Sequence, residues 1–96
     1  MRILIDYKER DSALGRLKID SARYLADYVV RILFNNGTER LVDFKPFLSN
    51  TSHPSIKKYL DEKKFSNFNL IDGNLNWNDY DLIFPIWDLY NGRIDS

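Results

Sequence analysis

Apolar residues recur at every second position through Tyr28, Val30, Ile32 and Phe34, and again through Val42 and Phe44 after Arg40. Asn35-Asn36-Gly37 separates the two runs. A period of two interrupted by such a cluster predicts a β-hairpin. A two-residue turn at Asn36-Gly37 would set Val30 against Asp43. A three-residue loop with Gly37 in the left-handed region instead sets Val30 against Val42 and Tyr28 against Phe44, and is preferred. Leu17, Ile19 and Ser21 read as an earlier strand, joined to the hairpin through Ala26-Asp27. Pro46 ends the hairpin, and Phe47 and Leu48 anchor a short turn.

The period then lengthens. Ile56, Tyr59 and Leu60 lie at helical spacing behind Pro54, with Ser52 or His53 as the cap and Lys57, Lys58 and Asp61 outside, which predicts one short amphipathic helix. From Phe65 the period returns to two. A turn at Asp72-Gly73 sets Leu70 against Leu75 and Phe68 against Trp77, apolar to apolar at both positions. Closing the next turn at Asn78-Asp79 would pair Trp77 with Tyr80 and Leu75 with Leu82, completing a three-stranded meander. Pro85 stops the sheet and opens a last short helix, in which Ile86, Leu89 and Tyr90 share a face and Gly92 lies past the end.

The predicted fold is therefore α+β: an N-terminal hairpin or meander, a short central helix, a second three-stranded antiparallel meander and a short C-terminal helix. The 96 residues are organised as a single domain over 17–92 and a tail over 93–96. Residues 1–16 are an N-terminal arm or an extra edge strand, because Ile3, Ile5 and Tyr7 alternate while Asp6 to Asp11 is crowded with charge. A chain of this size hides about 65% of its extended surface on folding, enough for a core without metal or disulfide.

Composition narrows the chemistry. Fourteen basic and 14 acidic residues leave no net charge, unlike the basic balance of a duplex-binding domain. No Cys is present, which removes thiol nucleophiles, thiolate zinc sites and disulfides. The apolar patch Ile3 to Ile5 is too short for a signal peptide or a spanning helix, so a cytoplasmic protein is expected. A single His, His53, excludes two-histidine metal sites and reads as a helix cap or surface residue. Asp72-Gly73-Asn74-Leu75-Asn76 resembles the start of a calcium loop. The positions that need Gly and Glu hold Trp77 and Ile83, so it reads as a hairpin turn. Neither catalytic constellation nor cofactor site emerges; the remaining enzymatic alternative is a metal held by Asp79 and Asp81, which would share a face of a strand.

Two further features read first as solvated faces and as core packing, with Trp77 and Tyr80 a cross-strand pair, and after that as a surface. Residues 67 to 96 carry five Asp against Arg93 alone, suited to a basic partner. Trp77, Tyr80, Phe84, Trp87 and Tyr90 concentrate aromatic area there, and Trp87 falls off the face shared by Ile86, Leu89 and Tyr90. The candidate partner or ligand surface is Trp77, Asp79, Tyr80, Asp81, Trp87, Asp88 and Tyr90.

The run Tyr28 to Gly37, the Val42-Asp43-Phe44 segment before Pro46-Phe47-Leu48, the Phe65 to Phe68 stretch, and Asn74 to Trp77 with Asp81-Leu82 together resemble the bacterial domain of unknown function 2442 across residues 17–90. The resemblance implies a small α+β domain without established enzymatic activity. Some relatives continue into a helix-turn-helix, and others look like one half of small gene pairs similar to toxin–antitoxin systems. Only 12 residues follow Phe84, too few for a helix-turn-helix, so direct nucleic-acid binding is not expected. The expected function is a non-enzymatic protein-binding or regulatory module, antitoxin-like in its pairing with the product of an adjacent gene, and a homo-oligomer, as a dimer, through an edge near residues 3–7. The alternative is a small-ligand sensor with Trp77, Tyr80 and Trp87 around a pocket beside the last helix.

Overall fold

The computed structural model describes residues 16–94. Two antiparallel three-stranded meanders flank a run of short helical turns. The first sheet, in the order β1-β2-β3, holds β1 (Ile19–Ala26), β2 (Val29–Phe34) and β3 (Glu39–Asp43). The second, in the order β4-β5-β6, holds β4 (Phe68–Ile71), β5 (Asn74–Trp77) and β6 (Leu82–Ile83). The α+β reading is thus correct. The N-terminal arm or edge strand expected at 1–16 lies, Arg16 excepted, outside the described residues.

In the first sheet Val30 faces Val42, as expected. Gly37, at φ +87°, closes the three-residue loop: its N–H donates to the Phe34 carbonyl and the Phe34 N–H to Thr38 O. The earlier turn differs from expectation. Ala26 pairs with Val29, so the connection is Asp27-Tyr28, both in the left-handed region, rather than Ala26-Asp27. The left-handed pair matches the twist of the flanking strands. Irregularities at Asp20 and Leu25 shift the parity of β1, so that Ile19, Ala22 and Tyr24 all turn inward.

The expected short helix behind Pro54 is α2 (Pro54–Lys57) continued by a 3₁₀ turn (Lys58–Leu60), and two more helical pieces flank it: α1 (Lys45–Asn50), where a turn was expected, and α3 (Glu62–Phe65). Pro46 therefore sits in the first turn of α1 rather than ending a strand, and Phe65 ends α3 rather than starting one. The break before α3 has a local cause. Asp61 leaves the helical region at ψ 112° and its carboxylate accepts the Lys63 N–H, a helix start written at the end of the expected helix. His53 occupies the N-cap of α2 without a side-chain capping bond.

The second hairpin has the expected register, Leu70 against Leu75 and Phe68 against Trp77. The third strand does not. Trp77 pairs with Leu82 and Asn76 with Ile83, and residues 78 to 81 form a four-residue loop. A slip of two leaves every side chain on its own face, so alternation alone cannot separate the two registers. The observed register keeps the Tyr80 hydroxyl out of the core and buries Leu82 and Phe84.

Trp77 and Phe44 sit at the centre of the core. The indole stacks on Phe65 with centroids 5.4 Å apart, meets Phe44, Phe68 and Phe84 edge-on, and donates Nε1–H to the Phe65 carbonyl at 2.7 Å. Aromatic contacts thus join both sheets and the helical run into one core. The Ile19 N–H donates to Gly73 O at 2.8 Å, tying β1 to the second hairpin. Ile94 is buried in the same core, so the expected tail is anchored at that residue.

Candidate functional site

The expected surface residues separate into three groups. Trp77 leaves the surface: it is fully buried, because the register that pairs it with Phe68 and Leu82 turns it inward. Buried there, it offers no surface to a pocket shared with Tyr80 and Trp87, which corrects the geometry expected of a ligand sensor. Trp87, Asp88 and Tyr90 lie on α4 (Ile86–Asn91), and Asp79, Tyr80 and Asp81 form the loop between β5 and β6.

α4 is held at both ends. Pro85 sets φ at −57° ahead of the first turn. Gly92, at φ +71°, ends the helix with its N–H on Leu89 O, while the Arg93 N–H reaches Asp88 O. Leu89 is buried, Ile86 and Tyr90 pack against the core, and Trp87 points away with 57% of its surface exposed, as its helical offset predicted. The Trp87 ring meets Tyr90 edge-on at 5.4 Å. Tyr90 is fixed in turn by the β2–β3 hairpin. Its hydroxyl bonds Thr38 and Asn36, and Arg40 lies over its ring while Nε donates to the Tyr90 carbonyl at 2.8 Å. Thr38 foremost, then Asn36, with Arg40 adding, holds the phenol below its ordinary range. A shallow cleft of about 420 Å³ beside Trp87 is lined by Ile86, Leu17, Lys18, Gly73 and Asp72 among others.

The loop at 78–81 is built differently. Asn78, Asp79 and Tyr80 all have positive φ, at 50°, 55° and 71°. The side-chain oxygen of the buried Asn76 accepts the Tyr80 N–H at 2.6 Å, and the Asp81 N–H donates to Trp77 O at 3.0 Å. Asp79 and Asp81 therefore share no strand face, contrary to the expected carboxylate pair. The Asp81 carboxylate is taken by Lys58 Nζ at 2.7 Å and by the Tyr59 hydroxyl at 2.8 Å. Hydrogen bonds from Lys58 first, then Tyr59, keep it below the usual carboxylate range. Burial first, then the bond to Asp81, pushes the Tyr59 phenol up to about 12. Among the described residues no three His, Asp or Glu side chains gather as metal ligands.

Next to this loop opens a cleft of about 430 Å³, whose walls include Lys58, Lys64, Asn67, Asn69, Asn78 and Asp79. Sequence reasoning singled out only Asp79 of these. The signal was present, since a register pairing Leu70 with Leu75 necessarily sets Asn69 against Asn76 on the opposite face. No pattern in the strands shows that Lys58 and Lys64 of the helical run come to line a cleft with Asn69.

Comparison with known proteins adds a family and no chemistry. The model of a family described as protein of unknown function (DUF2442) matches residues 19–95. No curated protein and no solved structure gives a significant match. Among the described residues no helix is long and apolar enough to cross a membrane.

Proposed function

The chain belongs to the DUF2442 family, and since membership carries no assigned activity, we propose from its surface that it is a non-enzymatic protein-binding module whose contact is centred on Trp87. The observation that carries this reading is an indole 57% exposed on a helix otherwise fastened to the core. A rigid aromatic costs little conformational entropy when a partner covers it, and Trp is the residue most enriched among binding hot spots. Tyr90 and the cleft beside Ile86 extend the apolar patch, and Asp88 and Asp72 supply its polar rim. The partner is a protein, the product of an adjacent gene in the antitoxin-like form of this reading, and self-association as a dimer is the simplest assembly.

Light scattering of the purified chain, alone and with the neighbouring gene product, tests the idea. A complex of summed mass is expected, with Trp87→Ala weakening it by at least about tenfold, the cost of losing about 1.4 kcal/mol. A chain that keeps its own mass in both runs, or a complex indifferent to Trp87→Ala, would refute it.

A further inference from the structure

We propose that the cleft between the 3₁₀ turn, α3 and the second sheet binds a small molecule with two ends, an oxyanion and an amine or hydroxyl donor. This goes beyond the protein-binding reading, and the cleft shares no wall residue with the one beside Trp87. Its volume of about 430 Å³ suits a small metabolite rather than a chain segment.

The walls are complementary to such a molecule. Lys58 and Lys64 bring two ammonium groups, and Asn67, Asn69 and Asn78 bring amide donors. The Asp81 carboxylate engages one donor of Lys58 and leaves the others for a ligand. Among the described residues Lys64 forms no ion pair. An oxyanion would sit against these groups. Asp79, on the same walls, supplies a negative charge that opposes a simple anion and favours one carrying its own donor.

The geometry is also built at a cost. The two-residue closure at Asn78-Asp79 needs two residues with positive φ; the chain instead uses three, the third a tyrosine, and L-residues in that region lose about 1 kcal/mol or more each, less for Asn and Asp. Asn76 and the Lys58–Asp81–Tyr59 contacts hold the loop against that strain. What the strain accomplishes is to set Asn78 and Asp79 beside the two lysines, and backbone strain held in place by its surroundings is characteristic of binding sites.

The test is an amide NMR titration of the full chain with O-phospho-L-serine, with sodium phosphate and L-serine as separate arms. The expected result is a saturable shift of the Asn67, Asn69 and Asn78 side-chain amides, half-complete at a concentration about tenfold lower for phosphoserine than for either fragment. Lys64→Gln should raise that concentration about tenfold, Asp79→Asn should erase the preference over phosphate, and Trp87→Ala should change neither. Asn69→Ala, on the exposed strand face, is a second variant should Lys64→Gln fail to fold. Absence of a saturable shift by about 10 mM, equal response to phosphoserine and phosphate, or indifference to both Lys64→Gln and Asn69→Ala would overturn the proposal. Insensitivity to Trp87→Ala separates its outcome from that of the protein-binding reading.

Discussion

Asp81 shows how a residue's meaning depends on its neighbours. In the chain it stands two positions from Asp79 and suggests a metal pair. Folded, its carboxylate is engaged by Lys58 and Tyr59 across the turn. Those contacts give stability a defined pH dependence. The folded carboxyl is held low, so its contribution is present above the ordinary carboxylate range and lost as pH falls through the lowered value. Tyr59 acts with opposite sign: its contribution is complete below 10.0 and is lost as pH rises from there to about 12. Urea unfolding from pH 2 to 7 should show wild type more stable than Asp81→Asn near neutrality, with the gap closing below about pH 4. A constant gap would show that the carboxylate charge is not what stabilises the contact. Trp87 was legible at this scale because a helical wheel needs only local sequence. Trp77 was placed among the surface candidates because its exposure depends on Phe65 and Phe44, which the helical run and β3 bring to it.

Among elements, turns decided what alternation could not. Gly37 and Gly73 both have positive φ, yet a Cβ at Gly37 meets nothing within 4 Å, whereas one at Gly73 would lie 2.8 Å from Lys18 Cβ and Cγ. Each Gly→Ala change should cost about 1 kcal/mol from backbone strain. Gly73→Ala should cost at least about 1 kcal/mol more, since Lys18 Cβ cannot swing aside and the Ile19–Gly73 hydrogen bond joins the two sheets there. Denaturant midpoints for the two variants check this, and equal losses would refute the close contact. The hairpins at Gly37 and Asp72-Gly73 were legible because a register change there would mismatch apolar partners. The turn at 78–81 was not, because a slip of two satisfies the same pattern. The start of α3 was written at Asp61, whose capping role was masked by its place at the end of the helical spacing of Ile56, Tyr59 and Leu60.

At the scale of the molecule, a continuous aromatic core makes the two sheets interdependent. Phe44 follows β3 of the first meander, Phe65 ends the helical run, and Trp77 and Phe84 come from the second meander and its continuation, all within 5.2–5.8 Å of a neighbouring ring. Unfolding should therefore be a single transition, with backbone circular dichroism and tryptophan fluorescence superimposing in urea. Separated midpoints would mean that the meanders unfold independently. By itself the sequence determined the α+β class, both meanders, two of the four strand registers, α4 and its exposed Trp87. These depend on period, turn chemistry and neighbours within a few residues, where local physics suffices. Only the tertiary structure decided that Trp77 is core, that Asp81 belongs to Lys58 and Tyr59, and that Lys64, Asn69 and Asp79 meet across one cleft. Those relations join residues separated by whole elements, and they follow from packing distance rather than from any spacing along the chain.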